Sequence, residues 1–118
     1  NNYNDHRNNN YNNTPPPPPA PMAMDQRTFN DVKQSISSAS FEDTKLSTAK
    51  TILNTNYVNT SQVMEICQLF SFENTKVAFA KFAYPRCVDP GNYYKVAGVF
   101  DFDSNKKLLN DFISSNPR

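Results

Sequence analysis

Nucleophilic catalysis requires a nucleophile held beside a base, and the single imidazole of this 118-residue chain, His6, stands among asparagines near the start. From residue 7 onward no serine, threonine or cysteine has a histidine to activate it. Acid–base chemistry by paired carboxylates is conceivable at Glu42/Asp43 or Asp101/Asp103, which are close in sequence. Asp101-Phe102-Asp103-Ser104-Asn105 also matches the opening of a calcium loop, but Lys106 stands where glycine is required and Phe112 where a bidentate glutamate belongs. His6 alone makes no metal site, and no glycine-rich phosphate loop, dinucleotide fingerprint or Cys/His metal spacing is present. These residues predict no catalytic centre, no cofactor and no metal.

Cys67 and Cys87 invite a disulfide, but on one helical hairpin their axial offset would be on the order of 15–20 Å, against a Cα separation below about 7 Å for a bond. Both are expected to be reduced, Cys67 in the core and Cys87 near a helix end. Binding chemistry has better candidates. Tyr57, Tyr84 and Tyr94 fall at helix ends or connections, where an aromatic ring with a polar tip suits an interface, although the phase of Tyr84 also fits a core position. Lys45, Lys76 and Lys106 recur at one phase and would form a ladder on one face, each facing its own acid. Together these six residues form the candidate interaction surface.

The elements that must position them follow from an internal repeat. Ser40-Phe41-Glu42-Asp43-Thr44-Lys45, Ser71-Phe72-Glu73-Asn74-Thr75-Lys76 and Asp101-Phe102-Asp103-Ser104-Asn105-Lys106 align, with phenylalanines 31 and 30 residues apart. Thirteen residues before each ring stand Thr28, Asn59 and Asp89, which read as caps of a first helix, with Asp31, Gln62 and Asn92 three residues on. Ser40, Ser71 and Asp101 read as caps of a second helix, whose early acids complement its dipole and pair with the lysine three residues later. Apolar faces recur at helical spacing: Val32 and Ile36; Val63, Ile66, Cys67 and Phe70; Tyr93, Val96, Ala97 and Phe100.

The fold class is therefore all-α, six short helices arranged as three αα-hairpin repeats of about 31 residues in a compact right-handed stack or bundle. The stretch from Val77 to Tyr84 is apolar nearly all round, which assigns it to the centre, and Pro85 should end it. Gly91 and Gly98 make the first helix of the last repeat the weakest. Phe72 is expected to be a buried ring at the hairpin junction.

Composition sets the remaining bounds. Residues 1–24 read as a disordered linker rich in asparagine and proline, with Pro15–Pro19 a stiff spacer, and residues 25–118 as the helical domain. A net charge of +1 argues against a nucleic-acid partner, and no apolar run is long enough to span a membrane. The sequence opens without Met or an apolar leader, as a mature or excised piece would.

The combination of Gln62-Val63, Phe70-Ser71-Phe72-Glu73, Lys76, Ala80-Lys81, Ala83-Tyr84, Asp89 and Tyr93 resembles the domain of unknown function 4476 family over about residues 27 to 115. That resemblance implies a Bacteroidetes-type protein exported to the periplasm or cell surface, with this domain at its C-terminus and no catalytic residues. The expected function is a non-catalytic protein-interaction or scaffolding domain with a protein partner in the cell envelope, as a monomer or weak oligomer. The alternative is a small-ligand binder or enzyme using acidic and Tyr residues in a groove between hairpins.

Overall fold

Five α-helices and one ten-residue 3₁₀ helix make up the computed structural model, which describes residues 14–118. The helices are α1 (Gln26–Ser37), α2 (Glu42–Leu53), α3 (Thr60–Cys67), α4 (Glu73–Ala83), the 3₁₀ helix (Pro90–Val99) and α5 (Asp103–Ser115). Among the described residues there is no strand. Of the linker expected over residues 1–24, residues 1–13 lie outside the described residues. Pro15–Pro19 are exposed and take neither helix nor strand.

Local chemistry explains where the helices start and stop. At α3 the expected capping box is present: Asn59 Oδ1 accepts the Gln62 N–H at 2.8 Å, and Gln62 Oε1 accepts the Asn59 N–H at 3.1 Å. At α1 the cap is Asp25, not Thr28; Asp25 Oδ1 accepts the Thr28 N–H at 2.8 Å. The earlier start extends the apolar face by one turn and adds Phe29, which is fully buried beside Val32 and Ile36. Pro85 ends α4 as expected, leaving a single 3₁₀ turn at Tyr84–Arg86. The glycine-bearing segment stays 3₁₀ over all ten of its residues, with Pro90 in its first turn.

The second-helix caps differ from expectation. Ser40, Ser71 and Asp101 do not cap; Phe41, Phe72 and Phe102 occupy the N-cap positions in extended conformation and give no side-chain bond. A cap needs a side-chain acceptor within reach of the first-turn N–H groups. Here two carboxylates from elsewhere in the chain, Glu42 and Glu73, serve N–H groups ahead of α4 and α5.

Packing pairs α1 with α2, α3 with α4, and the 3₁₀ helix with α5. In turn α4 packs against both α2 and α5, and α3 against the 3₁₀ helix. The near-continuous apolar surface of α4 thus meets three neighbours, which is why Val77, Phe79, Ala80 and Ala83 are all buried. Aromatic pairs close the core, Phe70 with Phe79 at 5.6 Å and Tyr84 with Tyr93 at 5.0 Å between ring centroids. The buried Tyr93 hydroxyl donates to the Ala80 carbonyl at 2.6 Å, so the ring brings no unsatisfied polar atom inside.

Backbone bonds join the segments that precede the first helices. Met24 N–H donates to the Tyr57 carbonyl at 3.0 Å, Val58 N–H to that of Arg86 at 3.1 Å, and Val88 N–H to that of Val58 at 2.8 Å. The resulting bridges, Ala23 with Tyr57 and Val58 with Cys87, are parallel. Ordered contacts with the domain therefore begin by Ala23.

Candidate interaction surfaces

The helices α2, α4 and α5 begin side by side because carboxylates bind them together. Glu42, the first residue of α2, accepts the Ser71 and Phe72 N–H groups ahead of α4, each at 2.9 Å to Oε2. Glu73, the first residue of α4, accepts the Asp101 N–H at 2.9 Å and the Phe102 N–H at 3.3 Å, and the Asn105 side chain at 2.9 Å. Burial pushes the Glu42 carboxyl up, but the N–H donors of Phe72 and Ser71 outweigh it and hold it below the usual range. The Glu73 carboxyl is held down by the Asn105 amide first, then by the Asp101 N–H. These acids were expected to pair with the lysine three residues on. Instead their oxygens face the neighbouring helix start, and Lys45 donates to the Ser37 carbonyl at 3.3 Å.

This arrangement leaves three phenyl rings in solvent. Phe41, Phe72 and Phe102 are 75%, 61% and 60% exposed. The buried position expected of Phe72 is thus corrected. Extended backbone at the N-cap takes its Cβ out of the helical phase that carries Val77 and Ala80 inward. Single exposed apolar residues are ordinary; here three large rings are exposed at equivalent places, the starts of α2, α4 and α5.

The opposite ends of the same helices carry a different surface. A groove of about 440 Å³ is lined by Lys81, Phe82, Tyr84, Arg86, Phe112 and Arg118, together with Pro85, Asn116 and Pro117, and no Asp or Glu side chain is among these residues. Cations lie over the rings: Lys81 Nζ is 5.8 Å from the Phe112 centroid, Lys50 Nζ 5.4 Å from Phe82 and the Arg118 guanidinium 5.4 Å from Tyr84. Arg118 also donates to the Tyr84 carbonyl and, at 2.7 Å, to that of Cys87.

The six candidate residues fall into separate places. Tyr84 is buried between Tyr93 and Phe112 and forms part of the groove floor. Tyr57 is half-buried under Arg86, whose guanidinium sits 4.0 Å from its ring centroid. Tyr94 is exposed on the 3₁₀ helix, away from both. Lys45, Lys76 and Lys106 are half-buried in the first turns of α2, α4 and α5, behind the phenyl row. Sequence reasoning missed the rings themselves and the cations Lys50, Lys81, Arg86 and Arg118. A readable signal for the rings was their place immediately ahead of the first helical acid, a position that lies outside the helix.

A third polar cluster surrounds the start of α3. Asp89 Oδ1 accepts the Thr60 N–H at 2.7 Å, the Thr60 hydroxyl at 3.1 Å and the Cys87 thiol at 3.2 Å. Burial raises the Asp89 carboxyl, and the donors led by the Thr60 N–H bring it below the usual range. Both cysteines are free and buried. Burial pushes the Cys67 thiol up to about 12 and also raises Cys87. Among the described residues no group of three metal-binding side chains occurs, and no helix is long and apolar enough to cross a membrane.

An all-helical domain with these surfaces defines a fold class but no known activity. The family described as "Domain of unknown function (DUF4476)" matches residues 23–113, and the chain belongs to that family. No curated protein and no solved structure matches it.

Proposed function

We propose that this domain is a non-catalytic protein-interaction or scaffolding module of an exported bacterial envelope protein, and that a protein partner docks on the edge formed by Phe41, Phe72 and Phe102. The observation that carries this reading is the exposure of those three rings on helix starts tied together by Glu42 and Glu73. Fully burying a phenyl side chain is worth roughly 1.5–3 kcal/mol. A partner covering the row thus gains apolar contact on a backbone whose ordering is already supplied by the fold. Aromatic residues are enriched at the centres of protein interfaces, and charged residues are depleted there.

The absence of histidine from residue 7 onward supports a non-catalytic role. Three lysines set behind the rings, Lys45, Lys76 and Lys106, supply a polar rim of the kind interfaces carry. Export to the periplasm or cell surface, with a partner in the envelope, rests on the family resemblance, and the Pro15–Pro19 run would act as the spacer that presents the domain.

Replacing all three rings by serine tests the reading. Crosslinks to a defined envelope partner in the native cell should disappear, while the thermal midpoint moves by no more than about 4–8 °C, the equivalent of about 1 kcal/mol in a domain of this size. Undiminished crosslinking to the same partner would remove the proposal's support.

A further inference from the structure

Four cations gather where α2, α4 and α5 end. Lys50 lies in the last turn of α2 and Lys81 in that of α4, Arg86 closes the turn after α4, and Arg118 follows α5. Among the described residues none of them is in an ion pair, the salt bridges there being Lys33–Glu65 and Lys107–Asp111. Part of this charge complements the helix dipoles, which place roughly half a negative charge at each C-terminus. Arg118 is committed to the Tyr84 and Cys87 carbonyls, and Arg86 Nε donates to the Asn56 carbonyl at 3.3 Å. Lys50 and Lys81 make no hydrogen bond to another described residue. Their ammonium groups stand over Phe82 and Phe112 with donors unused.

We infer that the groove between α4 and α5 is a docking site for an acidic peptide segment that carries a large apolar side chain. Phe82, Tyr84 and Phe112 offer the apolar floor, and the unneutralised Lys50, Lys81 and Arg86 offer charges for flanking Asp or Glu. The volume of about 440 Å³ admits one large side chain. A peptide is the favoured guest because Pro85, Pro117 and Arg118 at the groove are exposed and leave a chain room to run on past it. Single-stranded nucleic acid also favours cations and aromatics, but it needs ring faces free for stacking. Here one face each of Phe82, Phe112 and Tyr84 lies under a cation, Lys50, Lys81 and Arg118, and is closed to stacking.

This site stands apart from the phenylalanine edge and is tested apart from it. The probe is a fluorescently labelled peptide alternating Glu and Phe, titrated by anisotropy against its Lys/Phe and Glu/Ser counterparts and against a mixed-sequence single-stranded oligonucleotide. The Glu/Phe peptide should bind, more weakly as salt rises, and the Lys/Phe peptide should not. The Glu/Ser peptide should bind more weakly than Glu/Phe. Lys50→Gln/Lys81→Gln should weaken Glu/Phe binding about tenfold, and serine at Phe41, Phe72 and Phe102 should leave it unchanged. Arg86→Gln gives a second variant should the lysine pair alter the thermal midpoint. No binding of the Glu/Phe peptide, equal affinity in the folded variants, or tighter binding of the oligonucleotide would overturn the inference.

Discussion

The two ends of the layer formed by α2, α4 and α5 solve opposite problems with the same kinds of residue. Where the helices begin, carboxylates turn inward along the layer and satisfy the N–H groups of the neighbouring helix, and the aromatic rings are left outside. Where they end, the rings turn toward the groove and the cations are left above them. At the first edge polar groups hold the fold and apolar groups face water. At the second, apolar groups hold the fold and charges face water. Exposed phenylalanines thus gather at the helix starts, which makes their exposure a feature to be tested rather than a by-product of a small core.

The sharpest contrast lies between a core ring and an edge ring. Phe79→Ala, which empties a fully buried position in α4, should cost about 3–5 kcal/mol by chemical denaturation. Phe72→Ala, seven residues earlier in sequence, should cost less than about 1 kcal/mol. Equal losses would mean that the edge rings support the fold and are not held for a partner.

Acidification should attack the first edge and spare the second. The carboxyls of Asp25, Glu42, Glu73 and Asp89 are all lowered in the folded protein. A group whose folded value is depressed adds stability that is complete above its unfolded value and is lost as pH falls through the folded one. Stability should therefore be flat above about pH 5 and drop steadily below about pH 4, the unperturbed carboxyl range. Urea midpoints measured across this range check the sign, and stability rising on acidification would contradict the hydrogen-bond geometry.

A smaller effect isolates one tie between helices. Glu42→Ala removes the acceptor for the Ser71 and Phe72 N–H groups and should cost about 0.5–2 kcal/mol, as loss of a helix cap does. The acid-induced loss should also become shallower in that variant. The smallest change belongs to the second edge, where Lys81→Gln should leave the urea midpoint within about 0.5 kcal/mol of the parent.

What could be read from the sequence was local. The 3.6-residue spacing identified Val63, Ile66, Tyr93 and Val96 as core, Asn59–Gln62 announced its capping box three residues apart, and Pro85 marked the end of α4. The partners of Glu42 and Glu73 lie about 30 residues downstream, so their roles depend on which helix starts the fold brings together, which helical spacing within one segment does not reveal. Phe72 misled because its spacing suits a core residue while its extended backbone takes it off the helix. The groove was hidden for a similar reason: Lys50, Lys81, Arg86 and Arg118 come from distant positions and converge only because three helices end together.

The account turns on whether the phenyl edge is where a partner sits. A photo-crosslinking phenylalanine analogue at position 72, with a matched one at exposed Gln34 on α1, puts that question to the intact protein in its native cell. Capture of one dominant protein from position 72 and not from position 34 is the predicted result. Identical capture from both positions, or none from position 72, would contradict it.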